Sequence, residues 1–456
     1  MYVRNVHIRN LKLLKDVRLS FLRGDEERMW TVLVGENGLG KTTILQSIAL
    51  AASGRDRANQ LADVPSLPDR RTPQSTGTIV AEFSFGALGH PERIYPRLEG
   101  KPDAPPRLIS KLSVPPGNFV LTGFSKFEQE EDVRGNGQRD VSAEKMEKLF
   151  QWLMNDPVIQ ARAKNLSGWF VAGYGVDRKL PAPNNAPNLT DPAFQRLAPL
   201  FDKGPIEATG FADLFDTKQE VRSYALHLKK ALLNNSRILP KIKDLELRGH
   251  GGATTAKHLI LGDRFSFEAG RAAVKVPATW LSQGYQATIA WIADLIGQMF
   301  WDAKRDIDLD KMEGLVLIDE IDIHLHPSWQ VNLIQALKVT FPRIQFVVTT
   351  HSPMILPGLR KDEIRRVRQN EQGSVVVEEV EESPAVMTGS ELYEAFFGID
   401  GLYPKDIGKS LQKYGYLTSN PYRSDEEEAE ISRLRVDLQA YDVLPEWEPV
   451  ARESLQ

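Results

Sequence analysis

The segment GENGLGKTT at residues 35–43 limits the fold more strongly than any other part of the chain, because its glycines, lysine and threonines match a P-loop. It follows the apolar run Trp30–Val34 and precedes a helical pattern, which predicts strand, tight loop and helix. Glycines let backbone N–H groups turn around phosphate groups, and the following helix points its positive end at them. We expect Lys41 to reach the β- and γ-phosphates of ATP and Thr42 to hold Mg²⁺. The residues predicted to contact the nucleotide are Gly35, Glu36, Asn37, Gly38, Leu39, Gly40, Lys41, Thr42 and Thr43.

A second predicted strand ends in two carboxylates. In GLVLIDEID, the apolar residues Leu315–Ile318 lead directly into Asp319 and Glu320. A buried strand of this kind delivers its last side chains to the carboxyl edge of an open α/β sheet, where ligands bind. Asp319 is therefore expected to bind Mg²⁺, and Glu320 is expected to accept a proton from the water that attacks ATP.

Two shorter motifs complete the set. The string LSQG opens a helical pattern, so we expect Ser282 and Gly284 to offer hydrogen-bond donors to a γ-phosphate. The string FVVTTHSP ends an apolar strand in His351, whose imidazole can sense the same phosphate by hydrogen bonding. Each motif is weak alone, and their order along the chain gives them weight.

Strand and helix patterns alternate from residue 243 onwards, which predicts an α/β protein with a parallel sheet. The expected elements are a helix at Gln283–Phe300, a strand at Leu315–Ile318, a helix from Pro327 and a strand at Gln345–Thr349. Nearer the N-terminus, residues 78–86 alternate in a way that favours an exposed edge strand.

The middle third is predicted to be an inserted helical lobe. Helical patterns at residues 143–154 and 211–233 flank an expected strand at Trp169–Ala172. Proline, glycine and charge between residues 100 and 140 argue against a continuous helix, so long coiled-coil arms are not expected. We divide the chain into two parts of a nucleotide-binding domain (1–100 and 241–385), the helical lobe (101–240) and a helical C-terminal cap (386–456).

The amino-acid composition limits which ligands the chain can bind and where in the cell it is expected. The 57 basic and 61 acidic side chains give a formal charge of -4, so nucleic-acid contact would need a local patch. The candidate patches are Arg70 and Arg71, Lys229 and Lys230, and Arg360–Arg368. The absence of cysteine excludes disulfides and thiolate metal sites. Because the sequence shows neither a signal-peptide core nor an apolar run of about 18 residues, we expect a cytoplasmic protein with no membrane span.

The order GENGLGKTT, LSQGYQATIAWIADL, LIDEIDIHLHP and TTHSP resembles the ATP-binding-cassette ATPases of the RecF, SMC and OLD group. Within that group, the chain is most similar to the short, armless ATPases of bacterial anti-phage defence, such as the Septu type. The resemblance implies a P-loop fold of ATP-binding-cassette type and a head-to-tail homodimer or a larger even-numbered assembly. ATP on one P-loop would face Ser282 and Gly284 of the other copy, while Leu325 and His326 fall in the family's D-loop. Gln283 and Tyr285 depart from the common LSGGQ wording.

The same resemblance implies an ATPase that regulates a separately encoded effector, often a nuclease, in anti-phage defence. Two other classes share the motifs. A RecF-like clamp on DNA in repair would differ mainly in its partner, and a transporter's nucleotide-binding subunit would associate with a membrane protein.

Two assignments stay open or are rejected from the residues alone. His324 and His326 alternate as zinc ligands can, but no third ligand is near and Pro327 begins a helix, so we reject a metal site. The loop that meets Mg²⁺ and the attacking water has several candidates, and the resemblance favours the last of them. They are Gln46, Gln151, and the segment Gly173–Gly175 with Tyr174 and nearby Arg178.

Overall fold

The computed structural model describes residues 1–72, 74–86, 107–128, 156–166, 168–181, 189–215, 217–234, 238–239, 241–247, 263–269, 272–303, 307–398 and 405–441. The chain divides into two compact units, Met1–Val386 and Met387–Gln456. The helix predicted at residues 143–154 lies outside the described residues. No helix within the described ranges is long and apolar enough to cross a bilayer.

Strands and helices are interspersed along the described residues. In chain order, the strands are β1 (Tyr2–Leu11), β2 (Leu14–Ser20), β3 (Leu22–Arg23), β4 (Glu26–Glu27), β5 (Trp30–Val34), β6 (Gly77–Ser84), β7 (Leu108–Val114), β8 (Thr122–Phe127), β9 (Val171–Tyr174), β10 (Ile242–Glu246), β11 (Arg264–Ala269), β12 (Ala272–Pro277), β13 (Gly314–Ile318), β14 (Ile344–Thr350), β15 (Ile364–Gln369) and β16 (Val375–Glu379). The α-helices are α1 (Lys41–Ser53), α2 (Arg55–Leu61), α3 (Pro157–Ala163), α4 (Pro192–Gln195), α5 (Lys218–Lys229), α6 (Gln283–Ala303), α7 (Pro327–Thr340), α8 (Gly389–Phe397), α9 (Lys405–Ser419) and α10 (Asp425–Ala440). Short 3₁₀ turns occur at Val64–Ser66, Ala198–Phe201, Ala208–Asp213, Ala278–Trp280, Leu309–Lys311, Pro353–Gly358, Lys361–Glu363 and Pro384–Val386, with a π turn at Lys230–Asn234.

A six-stranded sheet in the order β16-β15-β5-β14-β13-β9 carries the motifs. Its strands are parallel except for β16, which forms an antiparallel hairpin with β15. β5, β13 and β14 are buried at every position, as expected of parallel strands covered on both faces. Because β5, β13 and β14 run in the same direction, the P-loop, the two carboxylates and the histidine follow strand ends at one edge of the sheet.

A five-stranded antiparallel sheet, β2-β1-β6-β7-β8, forms the second layer. The expectation of an exposed edge strand at residues 78–86 is wrong, since β6 lies in the middle of this sheet between β1 and β7. The alternation of β6 reflects one buried face, and the strand that covers its other edge comes from residues 108–114, which the sequence pattern did not predict as a strand.

Helix α1, which follows the P-loop, packs between the two sheets. It contacts β1, β6 and β7 of the antiparallel sheet and β9, β13 and β14 of the parallel sheet. All of its residues except Thr42 and Gln46 are buried. The apolar residues of this helix and of both sheets form one continuous core. The P-loop is therefore followed by a helix whose side chains are almost all packed into this core.

The middle third, where a helical lobe with one strand was expected at 101–240, contributes two further strands, β7 and β8. β7 and β8 belong to the antiparallel sheet, and β9 forms the edge of the parallel sheet. The strand expected at Trp169–Ala172 begins two residues later, at Val171, because its pairing with β13 starts at that residue. The helical pattern at 211–233 corresponds to a 3₁₀ turn, α5 and a π turn.

The second unit consists, in its described part, of α8, α9 and α10. Ser424 begins α10 with a capping box, in which its hydroxyl accepts from Glu427 N and the Glu427 carboxylate accepts from Ser424 N. Five buried side chains form the core of the α9–α10 pair: Tyr414, Leu417, Ile431, Leu434 and Leu438.

Candidate functional site

The P-loop closes tightly where β5 ends and α1 begins. Gly35 has φ +143°, and a Cβ there would lie 2.1 Å from the carbonyl oxygen of Val367 on the neighbouring strand. Gly40 is left-handed, with φ +85°, and a Cβ there would lie 2.9 Å from Leu14 Cδ2. Gly40 caps α1 without a side-chain hydrogen bond, so the first-turn N–H groups of the helix are left for another acceptor. Those two positions accept only glycine, as the motif predicts.

Lys41 lies at the mouth of this loop. Its Nζ donates to the carbonyl oxygens of Gly35 at 2.8 Å and Glu36 at 2.7 Å. An ammonium group has three donors, so one remains for a phosphate oxygen. Burial lowers the Lys41 pKa to about 8, while Asp319 and Glu320 oppose that shift. Lys41 is therefore a partly desolvated cation whose ammonium group is held in place by two backbone oxygens.

Asp319, which directly follows β13, is hydrogen-bonded to the helix that begins at the P-loop. Its Oδ2 accepts a hydrogen bond from Thr42 Oγ1 at 2.7 Å, and its Oδ1 accepts from Thr349 Oγ1 at 2.6 Å. Its backbone N donates to Tyr174 O at 2.8 Å. The carboxylate is thus held by hydroxyl groups of α1 and β14, while the main chain of Asp319 is bonded to β9.

Glu320 has an unusual backbone. Its φ is +47°, in the left-handed region that non-glycine residues rarely adopt. Its Oε1 lies 3.9 Å from His351 Nε2. Burial and the neighbouring Asp319 and Asp322 raise the pKa of the Glu320 carboxyl, and burial together with Lys41 lowers the pKa of His351. Both shifts favour a carboxylate that can accept a proton close to a neutral imidazole.

Thr42 and Asp319 offer oxygens that suit a Mg²⁺ ion. Hydroxyl and carboxylate oxygens are the ligands that this hard cation prefers, usually together with waters and substrate phosphates. The 2.7 Å separation of Thr42 Oγ1 from Asp319 Oδ2 places the two oxygens that could bind a metal ion next to each other. The donor set therefore fits the ion that the sequence implied.

The candidates for the loop between the P-loop and the acidic strand are placed differently. Gln46 donates to Leu200 O at 3.1 Å, and Gln151 lies outside the described residues. Tyr174 ends β9 beside β13, and the guanidinium of Arg178 reaches the carbonyl oxygens of Asp319 and Glu320 at 2.8 and 2.6 Å. The structure brings the neighbourhood of Tyr174 and Arg178, which the resemblance favoured, to the acidic strand.

Ser282 and Gly284 lie at the start of α6. Ser282 is exposed, and its carbonyl oxygen accepts from Gln286 N within the same helix. Gly284 is buried, and a Cβ there would lie 2.4 Å from the carbonyl oxygen of His324. Within the described ranges, no hydrogen bond or ion pair joins either residue to the P-loop of its own chain. Their contact with ATP stays a prediction, and Gly284 has a packing role that the motif alone did not indicate.

Tyr285, one of the two residues that depart from the common LSGGQ sequence, packs against aromatic side chains. Tyr285 packs edge-on against Trp329 with ring centroids 4.5 Å apart, and it also contacts Phe267 of β11. His326 caps α7 through a side chain that accepts from Ser328 N. The start of α6 is therefore fastened to the D-loop region of the same chain.

The basic patches are largely neutralised by their own neighbours. Arg366 and Arg368 both pair with Glu378 across the β15–β16 hairpin. Arg71 forms a bidentate pair with Asp69, and Lys229 pairs with Asp244. These pairs leave less unpaired positive charge than the sequence count indicated.

Sequence reasoning did not assign a role to Thr349 in the site or to Asp294 in the core behind it. Thr349 holds both carboxylate residues, since its hydroxyl also accepts from Glu320 N at 2.7 Å. The doubled threonine before His351 was the available signal. Asp294 accepts from the Tyr174 hydroxyl at 2.8 Å inside the core, and no sequence pattern pointed to that pair.

Comparisons with known proteins match two segments of the chain to family models. A family model described as an AAA ATPase domain matches residues 1–141, and one described as an AAA domain, putative AbiEii toxin, Type IV TA system, matches residues 175–356. The chain is 25% identical over 444 residues to the Septu protein PtuA of Bacillus mycoides (strain KBAB4), with 97% of this chain and 51% of that protein covered. The chain thus spans about half the length of this relative.

Two further similarities extend over most of the chain. The retron Ec83 probable ATPase of Escherichia coli is 25% identical over 464 residues, with 93% of this chain and 81% of that protein covered. Among solved structures, the SmcHead bound to the C-winged helix domain of ScpA aligns with a TM-score of 0.49 at 15% identity, covering 84% of this chain and 99% of that one.

Proposed function

We propose that this chain, which matches AAA family models in two segments and is similar to the Septu protein PtuA, is an ATPase that binds ATP at residues 35–43 and hydrolyses it with the carboxylates that follow β13. The observation that carries the proposal is the 2.7 Å hydrogen bond from Thr42 Oγ1 to Asp319 Oδ2. It joins the helix that begins at the phosphate-binding loop to the strand that ends in two acids.

Each residue has a task that its position supports. The remaining donor of Lys41 and the first-turn N–H groups of α1 bind phosphate oxygens. Glu320 accepts a proton from the attacking water, and His351 donates a hydrogen bond to the γ-phosphate. Mg²⁺, held by Thr42 and Asp319, would supply positive charge to the β- and γ-phosphates.

Phosphate release by purified wild-type and variant protein tests this assignment. Glu320→Gln should lower the hydrolysis rate by about 100-fold or more while ATP still binds, because it removes only the proton acceptor. Lys41→Ala should abolish nucleotide binding. Glu313→Gln is a matched control, since Glu313 immediately precedes β13 at the end of the strand opposite Glu320 and is buried. Wild-type rates in Glu320→Gln would remove Glu320 from its assigned role.

The proposal includes an ATP-dependent homodimer. The exposed Ser282 makes no described contact with its own P-loop, which supports recognition of nucleotide on a second copy. Light scattering should find Glu320→Gln dimeric with ATP and monomeric without it, and Ser282→Arg in that background should stay monomeric. A dimer that forms equally without ATP would contradict this arrangement.

We assign the ATPase to the cytoplasm and to anti-phage defence, with a separately encoded effector as its partner. The support is the likeness to the Septu protein and the retron ATPase. Cells that express the chain with its neighbouring genes should resist phage infection, and Lys41→Ala should remove that resistance. If cells that express Lys41→Ala still resisted phage, the result would contradict the proposed regulatory role of the ATPase.

A DNA-repair clamp predicts that the chain alone binds plain duplex DNA. The pairing of Arg366, Arg368 and Lys229 with acidic neighbours argues against such binding. A gel-shift titration without any protein partner separates the two functions, and tight, salt-sensitive binding would favour the clamp.

A further inference from the structure

Arg178 lies in the turn that follows β9, the edge strand beside β13. The chain leaves β9 through Gly175, where a Cβ would lie only 2.6 Å from Pro199 O, so the turn is pressed against the following segment. Arg178 N donates to Val176 O at 3.1 Å, which tightens the turn further. The backbone path thereby sends the Arg178 side chain across the end of the acidic strand.

The guanidinium of Arg178 binds main chain and not carboxylates. One terminal nitrogen donates to Asp319 O at 2.8 Å, and the other donates to Glu320 O at 2.6 Å. The side chain is 3% exposed. Two donors on one planar group hold two consecutive carbonyl oxygens in a fixed relative geometry, which the flexible, single-point ammonium of a lysine does not impose. The acidic side chains stay available for the metal ion and the water.

The backbone that Arg178 holds is the strained one. A left-handed non-glycine residue costs about 1–2 kcal/mol and persists only where its surroundings fix it. The Glu320 N–H donates to Thr349 Oγ1 at 2.7 Å, and its carbonyl oxygen accepts from both Arg178 and Ile323 N. Glu320 is therefore held on both sides of its Cα, and the direction of its side chain follows from that hold.

The buried cation is compensated by nearby acids. Burial lowers the Arg178 pKa to about 10, and the neighbouring Asp322, Asp319 and Glu320 oppose that shift, so the group stays charged at neutral pH. A charged donor forms stronger hydrogen bonds to carbonyl oxygens than a neutral one.

We propose that Arg178 is a positioning residue for ATP hydrolysis, whose guanidinium holds the main chain of Asp319 and Glu320 so that the Glu320 carboxylate faces the attacking water. This inference rests on the proposed ATPase function. It differs from a loop residue that itself touches the nucleotide, because Arg178 acts only through the backbone of the two acids.

Steady-state kinetics on the full chain separate these roles. Arg178→Gln should lower kcat by about 10- to 100-fold, since a displacement of about 1 Å has that effect, while KM and the affinity for a fluorescent ATP analogue stay within about twofold. Arg178→Lys keeps the charge without the planar fork and should give an intermediate kcat. A raised KM with unchanged kcat would overturn the proposal, and so would wild-type kcat in Arg178→Lys.

A double-mutant comparison removes a purely structural explanation. In the Glu320→Gln background, Arg178→Gln should change the residual single-turnover rate by less than about twofold, because the group it positions is already gone. An equal fall in both backgrounds would overturn the proposal. Wild-type protein that never hydrolyses ATP would instead defeat the proposed function itself.

Arg162→Gln is the matched control. Arg162 is also buried, and its guanidinium donates to the carbonyl oxygens of Ala52 and Trp169. The described contacts of this side chain lie within the core that supports α1 and α3. Its loss should lower the unfolding temperature without reducing kcat of the folded protein. A fall in kcat as large as that of Arg178→Gln would show that any buried arginine has this effect.

Discussion

Replacing Thr349 by valine should both destabilise the protein and slow hydrolysis, because the Thr349 hydroxyl joins the two acids that follow β13. It donates to Asp319 Oδ1 at 2.6 Å and accepts from Glu320 N at 2.7 Å, and the residue is fully buried. Valine has the same shape, so the substitution removes two hydrogen bonds without leaving a cavity.

The magnitude follows from the two groups that lose their partner. A hydrogen bond to a charged group contributes about 1.5–3 kcal/mol, and a buried N–H left unpaired costs about 1–3 kcal/mol. We take about 3 kcal/mol as the total, since the Glu320 N–H is only partly buried. For the first unit, Met1–Val386, an unfolding entropy of about 2.1 cal/mol/K per residue converts this loss to a Tm lower by about 4 °C.

Thr31→Val provides the matched control in the same sheet. Thr31 lies on β5 opposite Val347 of β14, is fully buried, and its hydroxyl has no hydrogen-bond partner within the described residues. The same substitution there should leave Tm unchanged or raise it slightly, because it removes an unpaired polar group. Differential scanning calorimetry and phosphate release on both variants check the pair. Equal Tm values for the two variants would refute the reasoning that the Thr349 hydrogen bonds hold the site.

Further predictions concern the rest of the site. Gly284→Ala should lower the free energy of unfolding by about 1–3 kcal/mol and weaken the proposed ATP-dependent dimer, because its Cβ would lie 2.4 Å from His324 O and displace the start of α6. Gly389→Ala, with no atom within 4 Å of the added Cβ, should have no effect on light scattering. Burial raises the Asp294 pKa to about 7 from 3.8, so the folded state binds the extra proton and stability falls as pH rises from about 4 to 7. Asp294→Asn should flatten this dependence in urea titrations, and an unchanged slope would contradict it. Chelating Mg²⁺ with EDTA should stop phosphate release and leave the unfolding temperature without ATP unchanged.

The motif-bearing strands were predictable because their information is local. The apolar runs at Trp30–Val34 and Leu315–Ile318 have the length and flanks of buried strands, and both lie where they were expected. The P-loop glycines and Lys41 likewise follow from spacing alone. The juxtaposition of Thr42 with Asp319 was implied because both follow strands of one parallel sheet.

The remaining features depend on contacts between distant segments. Whether β6 is an edge or a central strand is decided by residues 108–114, which are distant along the chain. The resemblance pointed to the neighbourhood of Arg178, but its burial and its hydrogen bonds to main-chain oxygens depend on the turn after β9. The left-handed Glu320 is equally invisible, since a glutamate carries no signal for that conformation.

Glu320 sits in a conformation that suits glycine better than any residue able to accept a proton. A variant library selected for thermal robustness alone would therefore drift toward small or amide side chains at this position and lose turnover as it did so. Screens for more thermostable forms of this protein need an ATPase readout beside the temperature readout, because the proposed role of Glu320 and its backbone conformation favour opposite substitutions.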